Sequence, residues 1–121
     1  MGAGGFLGSV ARYLLSAAIV TSSSSRTAVA FPFGTLAVNV LGCFAIGVLA
    51  ASGARGSGWT EGARMFLFTG VLGGFTTFSA FGFETFTLAR EGRWGVAAAN
   101  VLLQVVCGLL AVLAGYRAVG T

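Results

Sequence analysis

The chain has 121 residues, of which 56% are hydrophobic and 8% are charged. In a water-soluble domain, roughly a quarter of the residues are charged. This composition excludes an ordinary soluble domain, and the absence of histidine and aspartate excludes Ser-His-Asp triads, zinc motifs and most other catalytic sites. The net charge of +4 comes entirely from scattered arginines without a basic run, which argues against nucleic-acid binding. We therefore expect a membrane protein that is not an enzyme.

Four apolar segments predict a single domain of four transmembrane helices. Three segments (27–54, 65–83 and 94–116) contain no charged residue, and a fourth, about 4–21, contains only Arg12. Each is close to or longer than the roughly 18 to 20 residues that cross a bilayer as a helix. We predict an all-α membrane protein with spans at about 4–21, 33–51, 62–88 and 94–117.

The first two spans each hold a polar residue that a membrane interior tolerates poorly. Arg12 lies within the first span. It either extends to the membrane interface or raises the electrostatic potential at a pore mouth. Asn39 lies in the middle of the second span, with Thr35 one helical turn earlier on the same face. A buried amide needs hydrogen-bond partners, so Asn39 indicates either an interhelical contact or a polar path.

The third span contains the sequence Gly-Gly-Phe-Thr-Thr at 73–77, a poor continuation of a membrane helix. We predict that the helix breaks there, because such breaks are tolerated in a membrane where free backbone groups line a cavity and can hold an ion. Phe78 and Phe81 follow on one helical face, and Glu84 comes one turn later. The two rings either pack or present their positively polarised edges to a small anion.

The fourth span carries two amides, Asn100 and Gln104, one helical turn apart. They indicate either interhelical hydrogen bonds or, together with Asn39 and the hydroxyls of the third span, a polar track for a small hydrophilic solute. The cysteines, Cys43 and Cys107, both lie inside spans, and we interpret them as small apolar packing residues.

The arginines predict that the chain inserts in both orientations. With four spans, the termini and the middle loop share one side of the membrane. A strong excess of arginines on one side normally fixes the orientation of a membrane protein. Here the numbers are nearly equal. One side holds Arg55, Arg64 and Arg117, and also Arg12 if it is counted, and the other side holds Arg26, Arg90 and Arg93. We therefore expect an antiparallel, dual-topology dimer.

Glycines spaced four or seven apart (4 and 8, 70 and 74, 108 and 115) pack helices either within one chain or across that dimer.

Three motifs resemble the Fluc/CrcB family of fluoride channels. They are GGFLGSVARY at 4–13, GTLAVNVLG at 34–42 and GGFTTFSAF at 73–81, and the third is highly specific. The resemblance implies an antiparallel homodimer in the cell inner (plasma) membrane, with two pores through which cytoplasmic fluoride leaves passively. It also implies that fluoride moves through each pore by way of a series of weak binding sites.

The resemblance also implies roles for individual residues. The positions of Phe78 and Phe81 line the fluoride pore, and that of Asn39 donates a hydrogen bond to fluoride. Backbone carbonyls at the positions of Gly73 and Thr76 hold a structural sodium ion at the dimer interface. The remaining matches are polar positions on the pathway or near its ends, namely Thr77, Ser79, Arg12 and Glu84.

The fourth span departs from the family, which usually has Tyr and Ser where this chain has Asn100 and Gln104. Both replacements can still form hydrogen bonds, so we keep them on the expected fluoride pathway. The departure leaves open that the chain is one subunit of a heterodimeric fluoride channel. Two functions outside fluoride conduction also stay open. One is a small dual-topology multidrug/proton exporter. Such an exporter would need a carboxylate inside the membrane, and the first two spans contain none. The second is a non-conducting structural subunit.

Overall fold

Helices cover the four segments for which the sequence predicted membrane spans. The computed structural model describes residues 2–22, 31–56 and 58–120. Within these residues there is no strand, and the prediction of an all-α protein is confirmed. The elements in chain order are α1 (Gly2–Ser22), α2 (Phe33–Ala54), α3 (Glu61–Met65), a π-helical stretch (Phe66–Leu72), α4 (Gly73–Phe75), α5 (Phe78–Arg90) and α6 (Trp94–Gly120).

Local sequence explains where several helices begin and end. Pro32 precedes α2, where its missing N–H does not interrupt helical hydrogen bonding. The hydroxyl of Thr60 accepts a hydrogen bond from the N–H of Ala63 (3.2 Å) and caps α3. The turn between α5 and α6 contains Gly92, whose φ of 78° lies in the left-handed region that glycine adopts without steric cost.

Glycines bring the helices into close contact within one chain. α2 and α6 form the most extensive helix pair. A Cβ atom at Gly47 of α2 would overlap the carbonyl oxygen of Val112, and one at Gly115 of α6 would overlap that of Phe44. α1 packs in the same way on the third span, because a Cβ at Gly8 would overlap the Val71 carbonyl oxygen. Gly8 and Gly115, which belong to the spaced pairs, therefore pack helices inside the chain, one of the two interpretations of that spacing.

The interior is small, and much of the apolar surface is exposed. Val38, Leu88 and Asn100 are the largest fully buried side chains among the described residues. Phe83 and Leu109 are examples of large apolar side chains that lie on the outside. Among the described residues, three helical regions are long and apolar enough to cross a membrane, namely Phe33–Ala54, Glu61–Arg90 and Trp94–Val119. A lipid environment explains this exposure, since hydrocarbon rather than water covers the outer face.

Candidate functional site

Two extended residues separate α4 from α5. Thr76 (φ −82°, ψ 153°) and Thr77 (φ −147°, ψ 113°) leave helical geometry. Oγ1 of Thr77 accepts a hydrogen bond from the N–H of Ala80 (3.3 Å) and so caps α5. The hydroxyl of Thr76 donates to the carbonyl of Leu72 (2.9 Å). The Thr77 side chain thus replaces the carbonyl that the N–H of Ala80 would meet in a regular helix, while the Leu72 carbonyl accepts from both the N–H and the hydroxyl of Thr76.

The side-chain amide of Asn39 connects the interruption to two other helices. Its Oδ1 accepts a hydrogen bond from the backbone N–H of Thr77 (3.2 Å), and its Nδ2 donates to Oε1 of Gln104 on α6 (3.0 Å). In a continuous helix the N–H of Thr77 would instead donate to the carbonyl of Gly73, four residues earlier. Asn39 therefore stabilises the extended backbone and leaves the Gly73 carbonyl without its helical donor.

A cavity of about 390 Å³, which we call the site cavity, lies beside this interruption. Asn39 and Gln104 line it together with both threonines of the interruption. Phe68, Phe78 and Phe81 form the aromatic part of its wall. The ring centroids of Phe78 and Phe81 are 5.5 Å apart, and their planes are tilted by 52°. Phe78 is 83% exposed, so this part of the wall lies at the surface of the chain. The site cavity thus combines amides, hydroxyls and aromatic rings.

The two amides keep hydrogen-bond donors that no described residue uses. An amide nitrogen carries two hydrogens, and Nδ2 of Asn39 uses one of them for Gln104. Nε2 of Gln104 is buried and has no hydrogen-bond partner among the described residues. Buried polar groups normally find a partner. Asn39 and Gln104 both line the site cavity, and unused N–H groups on such residues suit a ligand that accepts hydrogen bonds, such as a small anion.

A hydroxyl and a carboxylate form a second polar contact one helical turn from Asn39. Oγ1 of Thr35 donates to Oε1 of Glu84 (2.6 Å). The other carboxylate oxygen of Glu84 is buried and has no partner among the described residues. Since Thr35 and Asn39 share one face of α2, this pair extends the polar region from the site cavity along the helix.

Asn100 connects α6 to the backbone of α5. Its Nδ2 donates to Oγ1 of Thr85 (2.9 Å), and the Thr85 hydroxyl donates to the carbonyl of Phe81 (2.8 Å). Asn100 is fully buried, and its Oδ1 has no partner within the described residues. The arrangement fixes the backbone of Phe81, one of the two rings that line the site cavity.

The family described as "CrcB-like protein, Camphor Resistance (CrcB)" matches residues 1–116. The chain belongs to this family. It is similar to the "Fluoride-specific ion channel FluC" of Methylobacillus flagellatus, with 43% identity over 116 residues that cover 96% of this chain and 88% of the relative. The proteins of the same name from Elusimicrobium minutum (46% identity; 98% and 89% covered) and Opitutus terrae (48%; 95% and 86%) are also similar.

Membership of the CrcB-like family agrees with the resemblance inferred from the three motifs. The matched relatives are ion channels by name and not enzymes. Together with the three membrane-span candidates, the family indicates a multi-pass membrane protein.

The structure places the predicted site residues in two groups. The predicted pathway residues that line the site cavity are Asn39, Thr77, Phe78, Phe81 and Gln104, and the predicted sodium ligands Gly73 and Thr76 line it as well. The others lie outside its lining: Arg12 is half-buried on α1, Ser79 contacts Thr77 through its hydroxyl (3.3 Å), and Glu84 and Asn100 occupy the contacts described above. The roles of both groups stay predictions.

Several further residues belong to the site or its support and were not among the predicted pathway residues. Cys43 and Phe68 line the site cavity, and Thr85 joins Asn100 to Phe81. Cys43 and Thr85 lie one helical turn after Asn39 and Phe81, so an extension of the same helical faces would have indicated them. Phe68 carries no such signal, because its position depends on how the third span packs.

Proposed function

We propose that this chain is a fluoride-selective passive ion channel that exports cytoplasmic fluoride across the cell inner membrane and so confers fluoride resistance. The main observation behind this proposal is that two amide residues with unused N–H donors, Asn39 and Gln104, line the same cavity as Phe78 and Phe81. The names of the relatives, fluoride-specific ion channels, support the choice of fluoride among the small anions.

The proposed mechanism replaces the water around fluoride by protein donors. The N–H groups of Asn39 and Gln104 and the hydroxyl of Thr77 donate to the ion, and the ring edges of Phe78 and Phe81 add weak electrostatic attraction. Sites of this kind bind strongly enough for the ion to enter and weakly enough for it to leave. No step consumes energy, and the fluoride gradient sets the direction of flow.

The polar contacts outside the site cavity extend the proposed route. Thr35 and Glu84 lie one turn from Asn39, and we place Glu84 near one end of the pore. Ser79, beside Thr77, and Asn100 complete the set of polar groups along it. We place Arg12 near a pore mouth, where its charge attracts anions before they lose water.

The working unit in this proposal is an antiparallel homodimer with two pores. Phe78 is 83% exposed although its partner ring, Phe81, lines the same cavity, so one chain leaves that wall incomplete. The nearly equal distribution of arginines across the membrane supports insertion in both orientations. A second copy in the opposite orientation would cover the exposed aromatic wall.

We further propose a structural sodium ion at the dimer interface, held by the backbone carbonyls of Gly73 and Thr76. Neither carbonyl receives its helical donor, because the N–H of Thr77 donates to Asn39 and the N–H of Ala80 donates to Oγ1 of Thr77. Uncharged carbonyl oxygens without donors are suitable ligands for a hard cation. The ion would neutralise the carbonyl dipoles of the interruption and take no part in moving fluoride.

Fluoride efflux from liposomes that contain the purified chain alone tests this function. We expect rapid fluoride release and no chloride release, without a proton gradient. Release that requires an opposing proton gradient would favour the multidrug/proton exporter. No release from the chain alone, but release after a second CrcB-like chain is added, would assign the protein to a heterodimeric channel.

A further inference from the structure

A second cavity of about 510 Å³, which we call the outer cavity, lies next to the loop between α2 and α3. Phe68 lines both this cavity and the site cavity. On α2, Asn39 and Ile46 line the site cavity, and Leu49 and Gly53 line the outer cavity. Their spacing places them along one face of the helix. The two cavities therefore share a wall along α2 and meet at Phe68.

Arg64 provides the positive charge of the outer cavity. It is the only charged residue among the described lining residues. Its guanidinium carbon lies 5.8 Å from the centroid of the Phe68 ring, within the range of a cation–π contact. Within residues 2–22, 31–56 and 58–120 no carboxylate forms an ion pair with Arg64. Among the described residues, the boundary between the two cavities thus carries a positive charge that no ion pair neutralises.

The neighbourhood of Arg64 is suited to hold an anion briefly. Arg64 is exposed, so water and ions reach its guanidinium. Trp59, another lining residue, is of a type enriched where a membrane meets water, which places the outer cavity at the membrane surface. A screened surface charge attracts an ion without binding it tightly. Arg12, the arginine that the sequence placed at a pore mouth, lines neither cavity.

We propose that Arg64 collects fluoride in the outer cavity and that the ion then passes Phe68 into the site cavity. The proposal rests on the proposed fluoride channel. Arg64 acts by its charge. It therefore raises the rate at which fluoride is captured in the outer cavity and does not change how the ion passes along the amides. The effect should therefore depend on ionic strength, because salt screens an exposed charge.

Fluoride efflux from neutral-lipid liposomes tests this role with Arg64→Gln, Arg64→Lys and Arg90→Gln. Arg90, at the end of α5, is also exposed but lines neither cavity, which makes it the matched control. In about 0.01 M salt of an impermeant anion, Arg64→Gln should lower the initial rate about fourfold, the factor that a unit charge about 5 Å away provides in water. Arg64→Lys and Arg90→Gln should keep the rate of the unaltered chain.

In about 1 M of the same salt, the rates of all four proteins should agree, because the screening length falls to about 3 Å. Equal rates for Arg64→Gln and the unaltered chain in low salt would overturn the role of Arg64 while leaving the channel intact. A loss that persists in high salt would also overturn it, since it would assign Arg64 to packing on Phe68. Absence of fluoride efflux from the unaltered chain would instead refute the homodimeric channel on which this role rests.

Discussion

At the scale of single residues, the amide of Asn39 has two tasks that a substitution can separate. Its oxygen accepts the N–H of Thr77 and so supports the extended backbone, whereas its nitrogen supplies donors to Gln104 and to the site cavity. An aspartate has nearly the same shape and keeps the oxygen, but it has no N–H to donate.

We therefore predict that Asn39→Asp preserves the fold and abolishes fluoride efflux. The Gln104 amide can rotate to donate to the new carboxylate, which maintains the link between α2 and α6 but uses a donor that fluoride would need. The carboxylate also repels an entering anion. Thermal unfolding in detergent should change little, while liposome efflux is lost. Efflux close to that of the unaltered chain would contradict a role for this donor.

The ring of Phe81 offers a second residue-scale test. We predict that Phe81→Ile lowers the initial rate of fluoride efflux about tenfold or more, equivalent to about 1.4 kcal/mol in the barrier, because an aliphatic side chain has no polarised ring edge. Phe83→Ile is the matched control, since Phe83 is 70% exposed and does not line the site cavity. Size-exclusion chromatography checks that the oligomer is intact. If both variants conduct equally, the Phe81 ring only packs.

Sequence reasoning identified the polar residues of the site but not their partners. The pairs Thr35 with Asn39 and Asn100 with Gln104 follow from helical periodicity alone. The contacts of Asn39 with Gln104 and of Thr35 with Glu84 join residues 65 and 49 positions apart. Such contacts depend on the relative register of packed helices, which no local pattern encodes.

At the scale of elements, glycines determine how closely the helices approach. Gly47 on α2 faces the backbone of α6, and added atoms there would overlap the carbonyl oxygen of Val112. Gly53 lies on the same helix, and a Cβ there would meet nothing within 4 Å. The two positions therefore separate the effect of helix packing from the intrinsic preference of alanine for helices.

We predict that Gly47→Ala destabilises the protein by about 1 to 3 kcal/mol, the usual cost of overpacking. Gly53→Ala should be neutral or slightly stabilising, since alanine in a helix gains roughly 0.5 to 1 kcal/mol over glycine where space allows. Thermal unfolding of both variants in the same detergent makes the comparison. A similar melting temperature for both would show that α2 and α6 leave room for a methyl group at Gly47.

The elements of the third span were predictable only in part. The composition of 73–77 predicted a loss of regular helix, and the structure has extended backbone at Thr76 and Thr77. The π-helical stretch Phe66–Leu72 had no signal in the sequence. This stretch lies where α1 packs on the third span. A Cβ added at Gly4 would lie only 3.1 Å from Cα of Gly70. The wider π-helical turn therefore occurs at a tertiary contact, which local helix propensity does not describe.

At the scale of the whole molecule, the proposed dimer depends on insertion in both orientations. Glu61 and Glu91 lie at opposite ends of the third span, and both are exposed. Single substitutions Glu61→Cys and Glu91→Cys therefore report on the two sides of the membrane, and loss of a glutamate has little effect on orientation. The native cysteines, Cys43 and Cys107, both lie inside spans.

We predict that an impermeant maleimide labels about half of the chains at either position in intact cells, because the nearly equal distribution of arginines does not select one orientation. Lysed cells, in which both sides are accessible, give the full labelling for comparison. Adding two lysines next to Glu91 should move the labelling at position 91 toward zero, since positive charge keeps that loop inside. The same addition should abolish efflux, because one orientation alone cannot form an antiparallel dimer. Complete labelling at one position and none at the other in the unaltered background would mean that all chains share one orientation, and the exposed Phe78 would then need a different partner.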